Sequence, residues 1–127
     1  MKKILKIIAI VLLVIVLIFA CFIFYMTRGL ETGENLTINE VDLASLDDNT
    51  YIGKYHGGRW SNELEITIKD HQIISIHVLK DVKFPNEETT NALINRVVQE
   101  QKVDVDAISG ATVTCNAYLK SMEDALK

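Results

Sequence analysis

Residues 63–78 read Glu63-Leu-Glu-Ile-Thr-Ile-Lys-Asp-His-Gln-Ile-Ile-Ser-Ile-His-Val78, and this stretch decides the fold. Leu64, Ile66 and Ile68 alternate with Glu63, Glu65, Thr67 and Lys69, which is the period of a strand with one buried face. Asp70-His71-Gln72 supplies the turn. On the return, Ile74, Ile76 and Val78 are expected on the buried face and Ser75 and His77 on the polar one. The result is an antiparallel hairpin about eight residues deep on each side.

Working outward from the hairpin, Thr50 to His56 carries Tyr51, Ile52 and Tyr55 and reads as a further strand, closed by a turn at Gly57-Gly58. On the other side Pro85 breaks the chain. Asn86 is placed to cap a helix whose first turn holds Glu87 and Glu88, the charge sign its dipole favours. Leu93, Ile94, Val97 and Val98 recur at helical spacing and are expected to cover the sheet. A short extended piece, Val103 to Asp106, leads to Ser109-Gly110-Ala111-Thr112. Ala117, Tyr118, Met122, Ala125 and Leu126 then mark a second helix that ends the chain. The expected fold class is α+β: an antiparallel sheet with two helices packed on it, preceded by one transmembrane helix.

That transmembrane helix is read from Ile7 to Met26, twenty consecutive residues without a charge. At about 1.5 Å per residue they span roughly the 30 Å hydrocarbon core of a bilayer. The run is longer than the apolar region of a cleaved signal peptide and continues through Phe24, Tyr25 and Met26. Ile18-Phe19-Ala20-Cys21 faintly resembles a lipobox, but Phe19 fits it poorly and five apolar residues follow Cys21, so the cysteine is read as buried in the membrane. Lys2, Lys3 and Lys6 precede the helix and only Arg28 closely follows it, which favours a cytoplasmic amino terminus and an extracytoplasmic domain in the cell membrane. The organisation expected is therefore a basic tail (1–6), the membrane helix (7–26), a linker (27–47) and one domain (48–127). As a flexible coil the linker would span roughly 25 Å root-mean-square, with Leu43 and Leu46 as candidates to dock on the domain. Its Asn35-Leu36-Thr37 sequon is assigned no role in a chain that otherwise looks bacterial.

Composition narrows the function. The whole chain carries a formal −4, but without its three amino-terminal lysines the remainder sums to −7, which disfavours nucleic acid as a partner. A domain of about 80 residues buries too little to enclose a large substrate. Of the two cysteines one lies in the membrane run, so Cys115 has no partner within the domain and no thiol metal cluster can form. His56, His71 and His77 lack the spacing of a zinc site. No nucleophile elbow, phosphate-binding Walker loop or dinucleotide fingerprint is present. No metal ligand or catalytic side chain is assigned.

What remains is Asp106-Ala-Ile-Ser109-Gly110-Ala111-Thr112-Val-Thr114. Hydroxyl groups, a glycine that permits close backbone approach and a helix start are what a phosphate needs. The same residues also suit a plain turn, with Gly110 turning the chain and Thr114 capping the helix.

Asp106, Ser109, Gly110, Ala111 and Thr112 match the Asp-x-x-Ser-Gly-Ala-Thr signature of the FMN-binding domain family, which includes the flavin subunits of the Rnf and sodium-pumping NADH:quinone oxidoreductase complexes. The order of Tyr51-Ile-Gly53, hairpin, helix, Val103 to Asp106, motif and closing helix resembles a short single-domain copy of it over about 80 residues. Two turn positions depart from the family, with Asp48-Asn49 and Asp70-His71 where Asp-Gly is frequent, as does Cys115 where serine is common. Asn and His tolerate a left-handed backbone, so the fold is not threatened. The resemblance implies FMN as cofactor, esterified through its phosphate to Thr112 by a separate flavin transferase that uses FAD. It further implies Ser109, Gly110, Ala111 and Thr114 around the cofactor and Asp106 in the transferase recognition signal. Tyr51, Tyr55, Trp60 and Phe84 are the aromatic residues available to flank the flavin ring. The function expected is an electron-transfer flavoprotein rather than a substrate-specific enzyme, with a membrane quinol or flavoprotein as donor and an extracytoplasmic acceptor. The alternative is a flavin-sensing or accessory module of a membrane complex.

Overall fold

A computed structural model of the chain describes residues Met1 to Lys127. Lys2–Thr27 form helix α1, 26 residues without a buried side chain. It is long and apolar enough to cross a membrane. The chain leaves it at Arg28 and Gly29 and makes a five-residue helix, α2 (Leu30–Glu34).

The segment between α1 and the sheet packs on the domain, through Leu43 and Leu46 and through residues to which the sequence does not point. Leu30, Ile38, Val41, Leu43 and Leu46 are partly buried against the core. Asn116 Nδ2 donates to Gly33 O at 3.0 Å, and Lys120 Nζ donates to Thr37 O at 3.2 Å. Asn39 donates twice to Glu123, from its backbone N–H at 3.3 Å and from Nδ2 at 3.2 Å. Leu30, Ile38 and Val41 lie too sparsely along the segment for a helical or strand period, so sequence pattern alone does not place them.

Burial raises the Glu123 carboxyl, but hydrogen bonds from Lys120 and Asn39 outweigh it and hold the group below the ordinary glutamate range. A depressed folded-state value stabilises the fold above the unfolded-state value and loses that contribution as pH falls through the folded one. The Glu123 clamp on Asn39 is therefore expected to release only as pH falls below the ordinary glutamate range. Protection of the Asn39 amide, its exchange rate relative to the intrinsic rate at the same pH, should fall on acidification in the wild type and be low already at neutral pH in Glu123→Ala. Slow exchange in that variant at neutral pH would mean that Glu123 does not hold the segment.

Three strands follow, β1 (Asn49–Tyr55), β2 (Asn62–Lys69) and β3 (Gln72–Lys80), in one antiparallel sheet of order β1-β2-β3. The β2–β3 connection is a two-residue turn in which Asp70 and His71 take φ of 52° and 63°. Asp48 Oδ1 accepts from Asp70 N at 2.8 Å and fixes that turn. Leu64, Ile66 and Ile68 are buried as the alternation requires.

The return strand differs from its expected pattern in one place. Thr67 pairs with Ser75 but Ile68 pairs with Ile73, so Ile74 is the extra residue of a bulge. Ile73 is buried at 2% exposure while Ile74 is 51% exposed. Gln101 stabilises this arrangement from outside the sheet, its Oε1 accepting from Ile73 N at 2.7 Å and its Nε2 donating to Ile73 O at 2.9 Å. The amide acts as one rung of a strand.

Asn86 Oδ1 accepts from Thr89 N at 3.2 Å and caps α3 (Glu87–Glu100), whose Leu93 and Val97 are fully buried. Val103 and Val105 then reach the core from an extended segment that joins no strand. The final helix, α4 (Thr112–Leu126), buries Cys115, Ala117, Tyr118, Leu119, Met122, Ala125 and Leu126. It crosses β1 at Gly53, where helix and strand backbones touch. Tyr118 OH donates to Asp81 Oδ1, which links α4 to the end of β3.

Candidate functional site

The start of α4 is left open by its sequence. Gly110 takes φ 83°, a left-handed turn that glycine adopts without strain, and an added Cβ there would meet no protein atom within 4 Å. The glycine thus serves the backbone conformation, and close approach within the protein is not its role. Ala111 occupies the cap position and has no side-chain oxygen, so the helix has no side-chain cap. Thr114, weighed from the sequence as a cap, sits inside the first turn. The first backbone bond into the helix runs from Cys115 N to Ala111 O at 2.9 Å, leaving the N–H groups of Thr112, Val113 and Thr114 without a backbone acceptor. Three aligned donors and the positive end of the helix dipole face one spot.

A depression of about 320 Å³ lies there, lined by Glu34, Trp60, Gly110, Ala111, Thr112, Val113 and Thr114 and open to solvent on one side. Its volume falls at the low end of ligand pockets. The hydroxyls of Thr112 and Ser109 are exposed, and the Ser109, Thr112 and Thr114 side chains make no hydrogen bond within the protein. Hydroxyls elsewhere that serve structure do find partners: Ser121 Oγ donates to Asn62 Oδ1 at 2.6 Å, and Thr90 Oγ1 to Asn86 O at 3.0 Å.

Of the sequence-derived residues, Gly110, Ala111, Thr112 and Thr114 share this wall; Ser109 and Asp106 stand beside it on the approach loop. The Asp106 side chain is exposed and makes no hydrogen bond, while its carbonyl accepts from Arg96 Nη1 at 2.7 Å, which fixes the loop to α3. Only Trp60 of the four aromatic candidates reaches the depression. Tyr51 OH donates to Asp47 O, Tyr55 packs on Gly57, and Phe84 lies beside Arg59. Trp60 is 4% exposed and is positioned by Asn62, whose Nδ2 donates to the Trp60 carbonyl at 3.1 Å while its Oδ1 accepts from Ser121 on α4.

Two wall residues were not anticipated. Glu34 belongs to the segment read as linker, and Val113 enters through its contact with Gly33, where a Cβ would come within 2.6 Å of Val113 Cγ1. No basic side chain lines the depression, and Glu34 is its one charged residue. Cys115, one turn below, is fully buried and its Sγ accepts from Ile108 N at 3.4 Å. Burial pushes its thiol up from the usual range despite that bond and the Arg96 charge, which makes it a packing residue and a poor nucleophile.

An uncapped helix start, free hydroxyls, a largely buried tryptophan in the wall and a shallow open shape fit a phosphate-bearing cofactor. Residues 58–127 match the family described as FMN-binding domain, so the chain is a member of that family and its cofactor is FMN. No curated protein matches the chain. The matched region begins at Gly58, holds Trp60, both helices of the domain and the whole 106–114 stretch, and omits β1.

Proposed function

We propose that the chain is a membrane-anchored flavoprotein that carries FMN esterified to Thr112 and relays electrons from a membrane quinol or flavoprotein to an extracytoplasmic acceptor. The observation that supports this reading best is the exposed, unpartnered Thr112 hydroxyl at an uncapped helix start. Bound FMN supplies one- and two-electron redox chemistry. The backbone N–H groups of the first turn of α4 hold its phosphate, Trp60 provides an apolar wall, and Gly110 keeps the approach open.

Electrostatics favour a covalent linkage. A free FMN phosphate bears nearly two negative charges at neutral pH, and here it would meet Glu34 and no lysine or arginine. Esterification removes about one of those charges and replaces a weak ionic grip by a bond that dilution cannot break. Maturation then requires a flavin transferase, and the free Asp106 side chain is available for its recognition. Lys2, Lys3 and Lys6 favour a cytoplasmic amino terminus, which puts the domain where a dissociating cofactor would be lost.

An open site of this size holds a cofactor without also enclosing an organic substrate. Holo-protein reduced with dithionite is expected to be reoxidised by several small acceptors without saturation by any one. Saturable turnover of a single metabolite by the purified chain would make it a substrate-specific reductase and overturn the relay.

A further inference from the structure

The membrane helix and the domain are joined by more than the connecting chain. Met26 O is among the last four carbonyls of α1, which no helical N–H satisfies, and Arg59 Nε donates to it at 3.0 Å. The Arg59 guanidinium lies 4.1 Å from the centroid of Trp60 and 5.7 Å from that of Phe84, an arrangement that suits a planar, weakly hydrated cation. Arg59 O in turn accepts from Lys83 N at 2.8 Å, which holds the loop containing Lys83, Phe84 and Pro85 beside the helix end. The backbones also meet directly. A Cβ on Gly58 would stand 2.6 Å from Arg28 O.

Counted from Ile7, the uncharged run reaches about 30 Å at Met26, so the groups bonded to Met26 O lie near the boundary between hydrocarbon and headgroups. At that level the domain presents Phe84, 57% exposed, next to Lys83 and 5.7 Å from the Arg59 guanidinium, with Asp81 and Glu87 beside Pro85. The part of the chain after the membrane run is acidic as a whole, at −7 with these cations included. An exposed aromatic among cations is what the membrane interface favours: the ring enters the headgroup layer while long basic side chains reach phosphates.

We propose that Lys83, Phe84 and Pro85, together with Arg28 and Arg59, form a docking surface whose occupant is the bilayer leaflet that α1 enters. The inference rests on α1 spanning the membrane and is independent of flavin attachment. Trp60 belongs both to this clasp and to the wall of the cofactor depression, so the site is held at the membrane surface within reach of a lipid-dissolved quinol.

Site-directed spin labelling of the full chain tests it, in a Cys21→Ala background, in vesicles with equal parts phosphatidylcholine and phosphatidylglycerol. Nitroxides go at Pro85→Cys beside the loop and at Lys69→Cys, which lies on the order of 25 Å along β2 from Trp60. A third goes at Val14→Cys inside α1. Collisions with lipid-soluble oxygen should exceed those with a water-soluble nickel chelate severalfold at position 85, and the order should reverse at position 69. Adding Phe84→Asp with Lys83→Glu should return position 85 to the water-exposed pattern. Nickel accessibility at 85 equal to that at 69, or a pattern at 85 unmoved by the double substitution, would overturn the docking surface. A water-exposed label at Val14 would overturn it as well, by removing the membrane span itself.

Discussion

Gly53→Ala is expected to destabilise the domain severely, although it adds only one methyl group. Gly53 lies on β1 where α4 crosses the strand, and a Cβ built there overlaps Ser121 O and stands 2.7 Å from Ala125 N and 2.9 Å from Ala125 Cβ. Two of those atoms are helix backbone, which cannot move aside as a side-chain tip would. Relief requires lifting α4 from the sheet, and α4 buries Tyr118, Leu119, Met122 and Leu126 beneath it. Overpacking of a core costs about 1–3 kcal/mol and more where nothing can yield. We therefore expect a loss of about 3 kcal/mol or more, out of the roughly 5–15 kcal/mol that small domains possess. Thermal unfolding of the purified full chain by circular dichroism would read it as absent cooperative melting or a Tm lowered by well over 10 °C. A Tm within a few degrees of the wild type would show that α4 does not seat on β1 at this contact.

Thr112→Val should have the opposite profile, a folded chain with no flavin. The hydroxyl is exposed and unbonded and its residue is the first of a helix, so its removal costs at most about 1 kcal/mol. Flavin content after co-expression with a flavin transferase should nevertheless fall from near one per chain to none. The flavin absorbance of the purified protein reads the loss. Ser109→Ala and Thr114→Val should keep their colour if Thr112 supplies the attachment oxygen. Colour retained in Thr112→Val and lost in Thr114→Val would move the attachment two residues along the helix.

The sequence was most legible where pattern and chemistry coincide. Alternation at Leu64, Ile66 and Ile68 and the Asn86 cap before Glu87-Glu88 each carry a local physical signal, and the structure has both where the sequence placed them. The β3 face was not legible in the same way, since Ile73 and Ile74 are equally apolar and the choice between them is made by Gln101, nearly thirty residues away. The segment between α1 and the sheet was legible only at Leu43 and Leu46, for a similar reason. Glu123, Asn116 and Val113 meet it from the far end of the chain, and no window of sequence contains both sides of those contacts. At the site, the 106–114 stretch was visible as a motif, whereas Glu34 and the absence of any basic residue in the wall became apparent only in three dimensions.

Covalent FMN on Thr112 is the centre of this account, and the mass of the denatured chain tests it most directly. Full-length protein is co-expressed with an active flavin transferase, unfolded in denaturant, desalted and weighed, then digested to map the modified peptide. A gain equal to FMN less one water, located at Thr112, is expected. A mass equal to the bare chain, from protein that was yellow before unfolding, would mean that FMN is held without a covalent bond and would contradict attachment at Thr112.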